Sequence, residues 1–273
     1  AYHDAIMRHG WDGKWFRRAY TDTGIPIGAA TAKEFRIDSV VQSWAQFIDG
    51  NTPEVLQALQ SAKEELHIWD GIVSLAWPPS TRDELDLGTI SDYAPGIREN
   101  GAQYNHAALW FARALFEAGD PDSAMVIIDA VNPIKRSETP ERATLYRGEP
   151  YAVAADIYAK PTYEGRAGWT WYTASSGLFY RTVIEQLLGL RRTGEWLSFV
   201  PVFPSDWSEA SVIIPFGATS YHIRYEVVDV GSVEAPGVVL DGVRAVENKI
   251  LLVDDKREHV VIVRFVRRAP QAK

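Results

Sequence analysis

The 273 residues suffice for one large domain or two ordinary ones, and 46% apolar with 23% charged residues is typical of a globular protein. Twenty-eight basic against 36 acidic residues give a net charge of −8 without a lysine- or arginine-rich stretch, which argues against nucleic acid as a partner. The absence of cysteine excludes disulfides, thiolate metal sites and a cysteine nucleophile.

The sequence begins directly in a predicted helix without methionine, so we expect further sequence upstream of Ala1. No signal peptide is predicted, and no apolar run approaches the roughly 20 residues of a membrane helix. A soluble, cytoplasmic location is therefore expected. Ten tryptophans and twelve tyrosines are many for this length. Their rings could pack in a core or against the apolar faces of sugars.

Apolar residues recur at helical spacing up to about residue 190, which predicts helical hairpins. The predicted helices are Glu34 to Ile48, Pro53 to Leu66 with Thr52 as cap, Tyr104 to Ala118, Asp120 to Val131, and Thr173 to Leu190. Two long aromatic loops separate them, Trp69 to Asn100 and Asn132 to Trp171. Long loops on a helical scaffold often carry function.

From Glu195 the apolar residues alternate, which predicts strands. The strands expected are Leu197 to Phe203, Ser211 to Phe216, Ser220 to Val228, Val238 to Leu240, Lys249 to Val253 and His259 to Val266. Their spacing is typical of a small β-sandwich. The sequence thus predicts a mainly helical domain over residues 1–193 and a C-terminal β-domain over residues 194–273.

Two helix starts carry candidate anion-binding residues. His106 lies near the N-terminus of the third predicted helix, and Thr173 is expected as N-cap of the last one. Free backbone N–H groups at such positions attract phosphate. Glu99 lies in the irregular loop that leads into this helix. The alternatives are a hydrogen-bonded loop glutamate, a capping histidine and an ordinary N-cap threonine.

Other polar residues have simpler explanations. Asp38, Glu149 and Asp156 are expected in ion pairs or loop hydrogen bonds rather than in direct contact with a sugar. The remaining histidines, His3, His9, His67, His222 and His259, lack the spacing of metal ligands. No metal and no cofactor are predicted.

Six motifs occur together in a specific order. They are Trp11-Asp-Gly-Lys-Trp15, Arg36-Ile-Asp with Gln42-Ser-Trp44, Pro95-Gly-Ile-Arg-Glu-Asn, Asn132-Pro-Ile, Glu149-Pro-Tyr with Ala155-Asp-Ile-Tyr, and Gly168-Trp-Thr-Trp-Tyr-Thr. In this arrangement the chain resembles glycoside hydrolase family ninety-four over essentially its whole length. That family contains phosphorylases of cellobiose, chitobiose and related β-glucosides, and the phosphorylase-like end of cyclic β-1,2-glucan synthases.

The resemblance implies the second half of an (α/α)6 barrel followed by a jelly-roll-like β-sandwich. His106 and Thr173 match the family's phosphate ligands, Glu99 matches a carboxylate at the donor sugar, and Tyr93 matches a residue at the acceptor sugar. The chain departs from the family at Ala174, where glycine is usual. Inorganic phosphate is the implied co-substrate, and a β-linked disaccharide or gluco-oligosaccharide is the implied partner.

The family's general-acid aspartate belongs to a motif that this sequence lacks, so we expect it upstream of Ala1. The chain is then the C-terminal part of an inverting phosphorylase that forms an α-sugar 1-phosphate, and by itself it lacks catalysis. It should form a homo-oligomer or associate with the missing barrel half. A complete protein of the cyclic glucan synthase type would be attached to a membrane.

Two other functions stay open. One is an inverting hydrolase on the same barrel, with Glu99 as the base that activates water. The other is a carbohydrate-binding or regulatory fragment without turnover.

Overall fold

The computed structural model describes residues 2–66, 68–231 and 235–267. They divide into two units: residues 2–118 with 123–180, and residues 119–122 with 181–267. Helices dominate the earlier part of the chain and strands the later part, as the sequence predicts. The boundary after residue 193, the half-barrel and the β-sandwich stay predictions.

Nine α-helices are present in the described residues. They are α1 Tyr2–Ala5, α2 Ser39–Asp49, α3 Pro53–Glu65, α4 Thr89–Asp92, α5 Asn105–Ala118, α6 Pro121–Val131, α7 Pro133–Arg136, α8 Pro140–Tyr146 and α9 Thr173–Arg181. Two π-helical segments, Ile6–Gly10 and Thr182–Leu187, extend α1 and α9. None of these helices is long and apolar enough to cross a membrane.

The prediction for α3 is confirmed, since Thr52 accepts the N–H of Val55 and Pro53 is the first helical residue. The predicted start of α2 at Glu34 is wrong. The side chain of Asp38 accepts the N–H of Val41 at 3.0 Å and starts the helix at Ser39. Residues 37–38 instead pair with residues 76–77 as short strands.

The predicted continuation of the last helix to Leu190 is also wrong. The α-helical geometry ends at Arg181, and the π-helical turns end before Gly189, whose φ is 65°. A Cβ at Gly189 would lie 2.0 Å from the backbone of Val200. Glycine is therefore needed here, both for the left-handed backbone and for the close approach.

Pairs of two-residue antiparallel strands connect the long loops of the first unit by backbone hydrogen bonds. The pairs are β1 Ala19–Tyr20 with β2 Pro26–Ile27, β3 Ile37–Asp38 with β6 Ala76–Trp77, β4 Ile68–Trp69 with β5 Ile72–Val73, and β7 Gln103–Tyr104 with β8 Asp156–Ile157. Helix α5 forms the core of this unit and packs against α2. Its side chains at Leu109, Phe111 and Leu115 are completely buried.

The second unit contains two sheets. A three-stranded antiparallel sheet has the order β15 Lys249–Leu251, β10 Trp196–Phe199, β9 Leu190–Thr193. A five-stranded sheet has the order β11 Glu209–Phe216, β12 Thr219–Val227, β16 Glu258–Phe265, β13 Gly237–Leu240, β14 Val243–Arg244. In this second sheet β12 and β16 are parallel, and the other neighbours are antiparallel.

Burial alternates along β12, where Tyr221, Ile223 and Tyr225 are buried and Arg224 is exposed. This alternation matches the period of two in the sequence, because successive side chains of a strand point to opposite faces. The predicted strands are present at all six positions, although the first is shorter than expected and ends at Phe199.

Candidate functional site

Three consecutive residues, Val153 to Ala155, hold the starts of α5 and α9. The carbonyl of Val153 accepts the N–H of Tyr172 at 3.1 Å. The next two carbonyls, of Ala154 and Ala155, accept the side-chain and backbone N–H groups of Asn105, each at 2.8 Å. The two helices therefore begin side by side, although Asn105 and Tyr172 are far apart in the sequence.

Asn105 fixes the start of α5 and is completely buried. Its Nδ2 donates to Ala154, and its Oδ1 accepts from Nε2 of Gln103 at 2.8 Å. His106 follows in the first helical turn, where backbone N–H groups have no intrahelical partner. The sequence thus places its histidine correctly near a helix N-terminus.

The imidazole of His106 contacts the ring of Trp110 edge-on, with 4.5 Å between the ring centroids. Partial burial lowers the pKa of His106 below its ordinary value of about 6.5. Burial therefore favours the neutral form of the ring. A neutral imidazole can still donate one hydrogen bond to an anion.

Thr173 is not the N-cap of α9, contrary to the prediction. The carbonyl of Tyr172 accepts the N–H of Ser176 at 3.1 Å, so Tyr172 is the N-cap and Thr173 the first helical residue. Thr173 and Ala174 are both exposed. Their N–H groups precede the first helical hydrogen bond, which leaves them available to an anion together with the threonine hydroxyl.

Two tyrosine hydroxyls connect the segments before these helices. Those of Tyr104 and Tyr172 lie 3.1 Å apart, and the rings meet edge-to-face with centroids 6.4 Å apart. Burial raises the pKa of Tyr104, and so do the hydrogen bond to Tyr172 and the negative charge of Glu99. His106 and Thr173 each follow within two residues of this pair. The structure therefore brings the two predicted phosphate ligands to neighbouring helix starts.

The loop before α5 carries Glu99. Its Oε2 is buried and has no hydrogen-bond partner among the described residues. Nε of Arg98 forms an ion pair with this oxygen at 3.9 Å, which is beyond hydrogen-bonding distance. A hydroxyl group of a bound ligand could donate a hydrogen bond to this oxygen.

Tyr93 lies at the other end of the same loop and is partly exposed. Its carbonyl accepts a hydrogen bond from Asn100, whose side chain is completely buried. The guanidinium of Arg98 lies over the rings of Tyr93, Tyr104 and Trp169, at 5.7, 5.5 and 5.9 Å from their centroids. Arg98 thus connects the predicted sugar residues Tyr93 and Glu99 with the tyrosine that precedes α5.

The three other acidic residues weighed in the sequence have partners within the protein. Asp38 caps α2, Glu149 accepts a hydrogen bond from the indole of Trp171 at 3.3 Å, and Asp156 accepts the N–H of Arg98 at 2.9 Å. Among the described residues no group of acidic and histidine side chains could hold a metal ion. His67 lies outside those residues.

The arrangement combines two helix N-termini, donor side chains and a carboxylate oxygen that has no hydrogen-bond partner among the described residues. The neighbouring Arg98 lies over three aromatic rings. Residues 1–189 match the profile of the Glycosyl hydrolase 94 superfamily, catalytic domain. The chain belongs to this family.

Several relatives within the glycosyl hydrolase 94 family are phosphorylases. The chain is 40% identical over 225 residues to the cyclic beta-(1,2)-glucan synthase NdvB of Rhizobium meliloti, covering 82% of this chain and 8% of that protein. It is 31% identical to the cellobionic acid phosphorylase of Neurospora crassa, covering 80% and 28%. It is 29% identical to the N,N'-diacetylchitobiose phosphorylase of Vibrio proteolyticus, covering 88% and 30%. The chain thus spans less than a third of each of these relatives.

Sequence reasoning missed the roles of Arg98, Tyr104, Asn105 and Tyr172. Arg98 and Tyr172 lie in motifs that carry the family resemblance, and Tyr104 and Asn105 follow the Pro95 to Asn100 motif within five residues. Their roles depend on contacts between distant segments, such as the contact between the hydroxyls of Tyr104 and Tyr172, which are 68 positions apart. No local pattern signals such a contact.

Proposed function

We propose that this chain supplies the phosphate site and part of the sugar site of an inverting glycoside phosphorylase. The reaction cleaves a β-linked glucoside with inorganic phosphate and forms an α-sugar 1-phosphate. The observation that carries the proposal is the pair of helix starts, α5 and α9, held side by side on the carbonyls of residues 153–155. We propose that both helix starts direct free N–H groups and a donor side chain to one bound phosphate.

An inverting hydrolase needs a carboxylate base to activate water, but phosphate is already an anion and needs only to be positioned in line with the scissile bond. Burial lowers the pKa of His106, and the neutral imidazole that this favours would donate a single hydrogen bond to phosphate. Thr173 contributes its hydroxyl and backbone N–H. Their helix dipoles supply positive potential at the phosphate without a formal charge on either side chain.

Glu99 is proposed to bind a hydroxyl of the donor sugar. Its buried Oε2 has no hydrogen-bond donor among the described residues, and a sugar hydroxyl would provide one. Tyr93, partly exposed at the other end of the loop, is proposed to contact the acceptor sugar. A general acid outside this chain protonates the leaving oxygen. The segment that carries the acid completes the barrel and binds this chain.

The test uses a protein extended upstream and measures phosphate-dependent release of glucose 1-phosphate from β-linked glucosides. His106→Asn and Thr173→Val should raise the KM for phosphate. His222→Asn, a histidine change on the exposed side of β12, is the matched control and should leave it unchanged.

Glu99→Gln should lower kcat/KM for the sugar by roughly 10- to 150-fold, the equivalent of a charged hydrogen bond. Release of free glucose at the same rate without phosphate would contradict the proposal and favour a hydrolase with Glu99 as base. Glucan binding without any turnover would favour a binding module.

A further inference from the structure

The loop that carries Glu99 is attached to the segment after β8. The N–H of Gly96 donates to the carbonyl of Asn100 at 2.7 Å, and the carbonyl of Gly96 accepts the N–H of Ala159 at 2.9 Å. A Cβ at Gly96 would lie 2.4 Å from the backbone nitrogen of Lys160. These backbone contacts position the beginning of the loop.

Asp156 makes the contact directly before Glu99. Its side chain is completely buried, and its Oδ2 accepts the backbone N–H of Arg98 at 2.9 Å. Arg98 has a φ of 51°, a left-handed conformation that a residue other than glycine keeps only when its surroundings impose it. This hydrogen bond therefore restrains the backbone directly before Glu99, from which the Glu99 side chain extends.

The second oxygen of Asp156 lies against Gly168. This Oδ1 is buried without a hydrogen-bond partner among the described residues. A Cβ on Gly168 would come within 2.0 Å of it. The φ of Gly168 lies outside the left-handed region, so the backbone conformation itself would accept alanine. Glycine is needed here to leave room for the carboxylate.

We propose that Asp156 is a positioning residue of the sugar site, which holds the backbone of Arg98 so that the carboxylate of Glu99 faces the donor sugar. The role assigned to the sugar rests on the proposed function. The positioning of the loop does not, because it can be measured without a substrate.

The strength of the hydrogen bond between Asp156 and the Arg98 amide should depend on pH, because the groups around Asp156 shift the pKa of its carboxyl. Burial raises the pKa of Asp156 to about 6, the N–H and guanidinium of Arg98 oppose this rise, and the charge of Glu99 adds to it. Tyr158, on the following segment, has its own pKa raised by burial and by the charge of Asp156. Protonation of Asp156 below about pH 6 weakens the hydrogen bond to Arg98. The loop should then be less protected from hydrogen exchange.

The first experiment measures amide hydrogen exchange of residues 96–100 in this chain, corrected for the intrinsic pH dependence. Asp156→Ala should speed exchange of the Arg98 amide roughly tenfold or more, because a charge-assisted hydrogen bond is lost. Asp156→Asn keeps an acceptor oxygen, so the Arg98 amide should stay protected from exchange. Its exchange rate should no longer change near pH 6, because asparagine does not titrate. The Asn variant also serves if the Ala variant does not fold.

Gly168→Ala should reproduce the effect of Asp156→Ala with the carboxylate still present, because the new methyl displaces it. The matched control is Gly177→Ala in α9, where a Cβ would meet nothing within 4 Å. Unchanged exchange at residues 96–100 in folded Gly168→Ala and Asp156→Ala proteins would overturn the inference.

The second experiment measures sugar KM and kcat of an extended protein. Gly168→Ala should shift these values in the same direction as Glu99→Gln, with no change in the KM for phosphate. Faster loop exchange with normal sugar kinetics would overturn the role in the sugar site. If the unmodified protein shows no phosphorolysis while the exchange results hold, the proposed function fails and the positioning of the loop by Asp156 stands.

Discussion

Asn105→Asp tests whether the buried amide fixes the start of α5. The change preserves the shape of the side chain but replaces the donor Nδ2, 2.8 Å from the carbonyl of Ala154, with an acceptor. The carbonyl then loses its partner, at a cost of about 1–3 kcal/mol. A carboxylate must also be buried, which adds several kcal/mol unless it is protonated. We expect a total loss of about 3–5 kcal/mol in the free energy of unfolding at pH 7.

The sign of the pH dependence follows from burial. Burial raises the folded-state pKa of the new carboxyl above its unfolded value of about 3.9. The penalty is therefore smallest below about pH 4 and grows as the pH rises toward the folded-state pKa. Below that pKa the protonated group can donate to the carbonyl of Ala154.

The assay is denaturant unfolding of this chain and its variants at pH 4.5 and 7.5, with the difference from wild type taken at each pH. The matched control is Asn132→Asp. Asn132 caps α7 through its Oδ1, which accepts the N–H of Ile134 at 3.0 Å. Aspartate caps equally well, so the control should change stability by less than about 0.5 kcal/mol. A loss below about 1 kcal/mol for Asn105→Asp, or an equal loss in both variants, would refute the reasoning.

Asp38→Ala removes the buried cap of α2, which accepts the N–H of Val41 at 3.0 Å, and should cost about 2 kcal/mol or more in unfolding experiments. The second unit should be most stable between about pH 4 and 6.5. Hydrogen bonds to Asp241 and Asp255 raise the pKa of His259. Hydrogen bonds also lower the pKa of Asp241, and they lower that of Asp255 to about 2. The contribution of His259 to stability is complete below about pH 6.5 and disappears as the pH rises through its folded-state pKa. The contributions of the two carboxylates disappear as the pH falls below about 4. In His259→Gln, the melting temperature measured against pH should therefore vary less than in the wild type. This chain alone should release no glucose 1-phosphate in the phosphorolysis assay, because the proposed general acid lies outside it and such an acid typically contributes about 10²–10⁴-fold in rate. Robust release would place the acid within this chain.

The sequence predicts those elements whose signal is local. Thr52 and Pro53 define the start of α3, and the alternation of apolar residues defines β12, without reference to any other segment. The start of α2 was mispredicted because residues 37–38 pair with residues 76–77. That pairing joins segments about 40 residues apart, and two residues are too few to show a strand period. The end of the π-helical segment after α9 depends in the same way on the approach of Gly189 to Val200.

In the candidate site, too, some residues have a local sequence signal and others depend on contacts between distant segments. His106 and Thr173 could be chosen because each lies at the start of a helix, which is a local property. The link between Asp156 and Arg98 joins residues 58 positions apart, and the fit of Gly168 against Asp156 appears only in three dimensions. Sequence alone therefore gives candidate ligands, whereas the groups that orient them depend on contacts across loops.

The segment from Val153 to Ala155 contributes to the site through its backbone rather than through its side chains. Its three carbonyls hold α5 and α9 at their starts, and the N–H of Ala155 donates to the carbonyl of Trp169 at 2.5 Å. A shift of this segment would displace both proposed phosphate ligands together, whereas a change at His106 or Thr173 removes only one contact. Substitutions that move the segment should therefore weaken phosphate binding more than either single ligand variant. The side chains of Val153, Ala154 and Ala155 are themselves buried. A larger side chain in place of either alanine is therefore expected to shift the backbone and, through its carbonyls, both helix starts.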